Sequence, residues 1–378
     1  MKILMISHEY PPIGGGGANA CMYLGRGLKN KGHEVTLVTA NYQGMDAVSE
    51  ENGIQIFRVN SKRKYKDHCS FGEMLSFLAK ARPVAEKLQK QEKFDICIVF
   101  FGIPSGVLGW YLKKKYKLPY VIRFGGGDVP GFQERFTIIY KIIAPVIRSI
   151  WKNAEARIAN SEGLRKMAYD FCDKYPFTVV PNGVNVDTYR MREDIKTEEK
   201  VKILFVSRLI ERKGLQFIIP EMDRILSSTS KKVHFDIVGD GPYREELERM
   251  VVQYKMEDSV TFLGHKEKEE IALYYQIADL FILPSKKEGM PNVVLEAMAS
   301  GLPIIMTPCE GSKELIDGNG IVTEIESFAD CIIKYINDDE MRRDAAQKSR
   351  KRALELFSWE KTVDDYERII KRSVTKKK

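Results

Sequence analysis

Short runs of β-branched and apolar residues alternate with longer segments of helical periodicity along the whole chain. In the first half these runs are Ile3–Ser7, Glu34–Thr39, Ile54–Val59, Ile96–Phe100, Tyr120–Phe124, Ala156–Ala159 and Thr178–Val180. In the second half they are Lys202–Val206, Val233–Val238, Val260–Leu263, Leu280–Leu283 and Pro303–Met306. They are apolar at nearly every position rather than at every second one, as expected of strands covered on both faces by crossover helices. The βαβα order predicts an α/β protein built on open parallel sheets.

The pattern restarts midway. Asn182–Lys200 is polar and poor in strand formers, and Val201-Lys-Ile-Leu-Phe-Val then repeats the opening Met1-Lys-Ile-Leu-Met-Ile. Three segments are expected: a first domain over residues 1–183, a second over 184–358, and a closing helix over 359–378. Ser358 supplies the helix cap, and Lys376-Lys-Lys378 reads as a frayed basic tail.

Composition adds exclusions. The 378 residues are 44% hydrophobic and 30% charged, an ordinary globular balance. The six cysteines form no CxxC pair and stand beside no histidine at ligand spacing, which predicts free thiols in a cytoplasmic setting and no metal site. Met1–Ser7 reads as a buried strand rather than a signal peptide, and no apolar run approaches the ~18 residues that span a bilayer. The net charge of +8 is uneven, with 27 Lys and Arg against 16 Asp and Glu in residues 1–183. The basic clusters Lys62–Lys66 and Lys113–Lys117 are either solvated faces or a surface for a polyanion. No nucleic-acid motif accompanies the charge, so nucleic acid is not an expected partner.

After the first strand comes His8-Glu-Tyr-Pro-Pro-Ile-Gly-Gly-Gly-Gly-Ala-Asn-Ala20. Gly15, Gly17 and Ala20 satisfy G-x-G-x-x-A, but Pro11 and Pro12 lengthen the turn and no acid closes the second strand, so NAD is not expected. What remains is physical. Gly15, Gly16 and Gly17 at a helix N-terminus let backbone N–H groups approach a phosphate or sugar oxygen, unless the loop is simply flexible.

The second half holds a denser constellation. Strand Lys202–Val206 runs into Ser207-Arg208-Leu-Ile-Glu-Arg-Lys213-Gly214, so Arg208 and Lys213 stand at a strand's carboxyl end, where α/β sheets bind ligands. Pro284-Ser-Lys-Lys-Glu288-Gly289-Met290-Pro-Asn292-Val293-Val294-Leu-Glu296 follows another strand end. A helix beginning near Asn292 offers the first-turn N–H groups of Val293 and Val294 to a phosphate. Glu296, one turn in on an apolar stripe, needs donors such as ribose hydroxyls.

Glu288 and Glu296, seven residues apart, resemble the E-x7-E motif of the retaining glycosyltransferases of family four. Their companions fall in the family's order: the His8-Glu-Tyr-Pro-Pro glycine run, Pro181-Asn-Gly-Val-Asn185, Ser207-Arg-Leu with Lys213-Gly, Val238-Gly-Asp-Gly-Pro242, Phe262-Leu-Gly-His265, Pro284-Ser and Phe357-Ser-Trp-Glu360. The resemblance implies a GT-B architecture, two Rossmann-like doubly wound domains facing a central cleft. The N-terminal domain would take the acceptor, the C-terminal domain the nucleotide sugar, and the last helix would cross back to the first domain. It also implies metal-independent hexosyl transfer with retention of configuration and no cofactor, the donor being a UDP- or GDP-sugar. In that picture Arg208 and Lys213 hold the diphosphate, Glu296 the ribose and Glu288 the sugar. Gly264 and His265 lie by the base, and the Gly14–Gly17 loop closes on the donor.

One position departs from the family. Where many members carry a histidine after the fifth strand, this chain has Arg123-Phe-Gly-Gly-Gly-Asp128. Asp128 is either a group that orients the acceptor hydroxyl or a turn residue bonding its own backbone. His8 is a second candidate, or a structural histidine. Phe136–Trp151 is strongly apolar with spaced cations, either an interfacial element for anionic lipid or a core helix kinked at Pro145. The first option would place the protein peripherally on the inner face of the cell membrane, beside a lipid-linked saccharide acceptor in cell-surface polysaccharide synthesis. Two alternatives to transfer stay open: a nucleotide-sugar epimerase, and a binding subunit with a degenerate site.

Overall fold

The computed structural model describes residues 1–66, 69–132, 137–192 and 199–375. They form two compact units, Met1–Asn182 with Trp359–Lys378, and Gly183–Ser358. In the first unit the strands are β1 (Lys2–Ile6), β2 (Glu34–Ala40), β3 (Val48–Glu51), β4 (Ile54–Val59), β5 (Ile96–Phe100), β6 (Tyr120–Arg123), β7 (Ala156–Ala159) and β8 (Thr178–Val179). They pair in the order β3-β4-β2-β1-β5-β6-β7-β8. Every pairing is parallel except β3 with β4. Between the strands run α1 (Gly16–Asn30), α2 (Phe71–Glu92), α3 (Ser105–Tyr116), α4 (Thr137–Asn153) and α5 (Glu162–Phe171).

The central strands explain the sequence pattern. All five residues of β5 are at most 1% exposed. Leu4, Ile6, Cys97 and Val99 join one apolar layer, while Ile3, Met5, Ile96 and Ile98 join another. Both sheet faces are therefore dry, and no polar alternation survives. The edge strand β3, Val-Ser-Glu-Glu, was not expected from its composition; antiparallel pairing with β4 and an exposed face make it polar.

The second unit repeats the plan with β9 (Lys200–Val206), α6 (Met222–Ser227), β10 (Lys232–Val238), α7 (Arg244–Gln253), β11 (Val260–Gly264), α8 (Lys268–Ile277) and β12 (Leu280–Leu283). It continues with α9 (Asn292–Ala299), β13 (Ile304–Met306), α10 (Ser312–Leu315), β14 (Gly320–Val322), α11 (Phe328–Asn337) and α12 (Asp339–Leu356). The sheet order is β11-β10-β9-β12-β13-β14, all parallel. Chain order reverses between β9 and β12 here and between β1 and β5 in the first unit. Reversal opens a crevice at the carboxyl ends, because the crossovers on its two sides lie on opposite faces.

The closing helix, α13 (Trp359–Thr375), belongs to the first unit. It buries Val363, Tyr366 and Ile370 against α1. Trp359 stacks on Tyr23 with centroids 5.0 Å apart, and a Cβ on Gly27 would stand 2.3 Å from Val363 Cγ2. Glu367 holds the buried His33 at 2.9 Å, and Asp364 pairs with Lys31. The tail Lys376–Lys378, and Phe136 at the head of the expected apolar element, lie outside the described residues.

Candidate active site

The second unit's reversal point carries the densest chemistry. The loop after β9 and the loop after β12 are stitched together, Lys286 N–H donating to Arg212 O at 2.9 Å. Lys213 Nζ sits 2.6 Å from Glu288 Oε1, and Ser285 Oγ donates to the same oxygen at 2.6 Å. Both ionic side chains are largely buried, 14% and 12% exposed, so the pair is held in a partly dry setting where charge is strongly felt. Glu288 Oε2 has no hydrogen-bond partner among the described residues. Gly214, at φ +82°, lets the first loop pass so close to Pro284 that any Cβ would stand 1.8 Å from its carbonyl oxygen. The loop after β13 buttresses this arrangement, with Glu310 N–H donating to Glu288 O at 3.3 Å and Gly311 N–H to Gly289 O at 2.9 Å. Arg208 lies on the first loop with its side chain exposed.

Pro291 precedes the helical Asn292, and α9 starts there because proline fits the boundary where no N–H is needed. Val293 keeps a first-turn amide. Val294 does not: its N–H donates to Pro291 O at 3.1 Å, so of the two amides expected to face a phosphate it is withdrawn. Met290 is buried beneath the loop and serves as packing. Glu296 is half-buried on α9, and burial pushes its carboxyl up to about 7, against the hydrogen bonds of Tyr275 and Tyr189. Tyr275 Oη lies 3.1 Å from both Glu296 Oε2 and Val293 O. The sequence offered no sign of Tyr275, which comes from α8, twenty-one residues earlier. Gly264 ends β11 at φ +72°, and the adjacent His265 ring is exposed, 3.7 Å from Glu267.

In the first unit the glycine run sits at the β1/β5 reversal. Gly15 is the N-cap of α1, and Gly16 and Gly17 form its first turn with no side-chain cap. Gly17 lies against the Phe101 ring, where a Cβ would come within 2.5 Å. Backbone amides are thus presented at a helix N-terminus, as the sequence implied.

Asp128 is placed otherwise than as an acceptor-orienting group. It is 5% exposed, and its carboxylate accepts the N–H groups of Gly102 at 2.7 Å, Gly125 at 2.8 Å and Gly126 at 3.0 Å. Burial raises its pKa, opposed by the Gly102 and Gly125 amides. The carboxylate knots the loop after β6 to the loop after β5, which is the turn-residue alternative with a longer reach. Asp128→Ala leaves three amides unpaired, two of them buried, so chemical denaturation should show a loss of about 2–4 kcal/mol. A variant as stable as the parent yet inactive would restore a chemical role. His8 is likewise interior: it is 5% exposed, edge-on to Phe101 at 4.8 Å, and burial lowers its pKa to about 4, keeping the ring neutral.

Two parallel α/β units, the second with paired cation and carboxylate at its reversal point and a carboxylate one turn into the adjoining helix, define a glycosyltransferase of the GT-B fold. The family profile "Glycosyl transferases group 1" matches residues 187–352, and "Glycosyltransferase Family 4" matches residues 14–188. The chain belongs to the family-four, group 1 glycosyltransferases. N-acetyl-alpha-D-glucosaminyl L-malate synthase of Bacillus anthracis is 26% identical, covering 98% of this chain and 97% of that protein. Alpha-monoglucosyldiacylglycerol synthase of Streptococcus pneumoniae is 26% identical over 81% of this chain and 70% of that protein. Sucrose-phosphate synthase of Thermosynechococcus elongatus has the same fold, with a TM-score of 0.84 at 21% identity and 100% of both chains covered. Anabaena HepE, solved in complex with UDP, has a TM-score of 0.74 at 18% identity, covering 98% of this chain and 100% of that one.

Proposed function

We propose that the protein transfers a hexosyl group from a UDP- or GDP-sugar to a saccharide acceptor, with retention of configuration and without a metal ion. The observation that carries this reading is the Lys213–Glu288–Ser285 cluster at the β9/β12 reversal, in the loop that leads into α9, the helix that carries Glu296. Lys213 and Arg208 supply the positive charge that a departing nucleoside diphosphate needs, and the α9 N-terminus adds to it. Among the described residues Glu288 Oε2 has no partner and is open to sugar hydroxyls, and Glu296 accepts from the ribose. Retention then follows from same-face attack, the leaving phosphate taking the acceptor proton. The binding of UDP by HepE supports the donor class. The acceptor is read as lipid-linked; the diacylglycerol named in the pneumococcal relative's product supports that class, the malate in the other relative's product a soluble one. Acceptor-dependent release of free nucleoside diphosphate, with an α-linked product from an α-linked donor, is the expected assay result. Epimerised donor without release would establish the isomerase alternative.

Glu296 makes donor binding pH-dependent. With its pKa near 7, the carboxyl is largely protonated below that pH, and two ribose hydroxyls donate best to the ionised form. Donor binding therefore releases a proton near neutrality, and affinity falls as pH drops from about 8 to about 6. Calorimetry across that range should show the decline in the parent and a flat profile in Glu296→Gln. In Tyr275→Phe the decline should begin at higher pH, since the lost O–H had favoured the ionised carboxylate.

A further inference from the structure

Among the described residues no helix is long and apolar enough to cross a membrane. The helix α4 nonetheless leaves large apolar side chains in solvent. Its buried face is complete, with Tyr140, Ala144, Ile147, Ile150 and Trp151 packed into the first unit, and it runs through Pro145 as one helix. Away from that face Ile138 is 74% exposed, Ile142 73% and Val146 42%. Four-residue spacing aligns these three on one stripe. Lys141, Arg148 and Lys152 are exposed on the same helix, and Thr137–Asn153 contains no acidic residue. Neither Lys141 nor Lys152 has an acidic partner among the described residues. The basic cluster on α3 is different: Lys113 pairs with Glu155 at 2.7 Å, Lys115 with Glu86 at 2.8 Å, and Lys114 covers the Trp110 ring.

We propose that the Ile138–Ile142–Val146 stripe of α4, with Lys141 and Lys152, docks on the surface of an anionic lipid bilayer, whereas Arg148 lies over the Phe171 ring. A monomer rarely leaves such residues contiguous and uncovered without a partner. Isoleucines inserted at the headgroup boundary with unpaired cations beside them fit anionic lipid, whereas a second copy of this acid-free helix would meet like charge. The placement suits the reaction. Tyr140 Oη, on the first turn of α4, donates to Gly127 O at 2.6 Å, tying the helix to the loop at the carboxyl end of β6. That end of the sheet is where the first unit presents its glycine loop, so a bilayer-anchored acceptor arrives beside it. The lipid-anchored acceptor rests on the transfer reading; the docking itself does not.

The test is co-sedimentation of the full chain with vesicles of equimolar phosphatidylglycerol and phosphatidylcholine, and with phosphatidylcholine alone, at low and high salt. The parent should sediment with the anionic vesicles and be released by salt. Ile138→Ser/Ile142→Ser should weaken this at least about tenfold, and Lys141→Glu/Lys152→Glu should abolish the salt-sensitive part. Both pairs are solvent-exposed, so thermal melting and UDP binding should match the parent. No binding by the parent, or equal binding by the isoleucine variant, overturns the proposal. So does a parent that is dimeric by sedimentation velocity while the isoleucine variant is monomeric, which would make the stripe an interface between copies. UDP binding that persists while vesicle binding fails removes the docking surface alone; loss of both removes the transfer reading as well.

Discussion

Lys213→Ala is expected to lower kcat/KM for sugar transfer about 100- to 1,000-fold. In the proposed transfer the lysine has two parts. It would be a cation beyond the carboxyl end of β9 where leaving-group charge develops, and such donors in partly dry sites are each worth about 3–4 kcal/mol of transition-state stabilisation. It is also the ion partner of Glu288 at 2.6 Å, so its removal leaves a largely buried carboxylate held, among the described residues, by Ser285 alone. Lys213→Arg keeps the charge but changes its shape, and should recover part of the loss. Steady-state kinetics of the two variants check the prediction. Equal loss in both would mean that geometry alone matters, and no loss in Lys213→Ala would remove the lysine from the reaction.

Gly214→Ala should be the most damaging single-atom change in the second unit. Two effects combine: φ of +82° disfavours any L side chain, and the new Cβ would stand 1.8 Å from Pro284 O, a main-chain atom that cannot swing aside. We expect a loss of at least about 3 kcal/mol, or roughly 10 °C in thermal midpoint for a domain of this size. Gly32→Ala is the matched control. It has φ +83° with nothing within 4 Å of the added atom, and should cost about 1 kcal/mol. A melting curve for each variant separates steric conflict from backbone preference. Similar shifts for both would show that the two loops are not as tightly joined as described.

Much of the fold was legible because of where its strands lie. Ile54–Val59, Ile96–Phe100, Ala156–Ala159 and Leu280–Leu283 occupy the spans expected from composition, since a strand buried on both faces leaves an uninterrupted apolar run. The two strands that escaped notice, β3 and β14, are at sheet edges and short or polar, so neither burial nor periodicity marks them. The candidate site was legible as residue types at strand ends, but not as pairs. Lys213 and Glu288 are 75 residues apart, and they meet because chain order reverses between β9 and β12. Nothing local announces that Lys213 and Ser285 converge on one carboxylate oxygen, or that Tyr275 reaches Glu296. Asp128 stayed open between two roles for a related reason. Three glycines before an aspartate resemble a ligand-binding turn, yet two of those amides, and a third from Gly102, are what the aspartate binds.

The proposed transfer requires that the β9/β12 reversal bind a nucleotide sugar through Lys213 and Glu296. Calorimetric titration of the full chain with UDP-, GDP-, ADP- and dTDP-sugars tests it most directly, with Lys213→Ala and Glu296→Ala as controls. One nucleotide class should bind the parent, and both variants should lose it while remaining folded. A folded parent that binds none of them, or variants that bind as tightly as the parent, would contradict it.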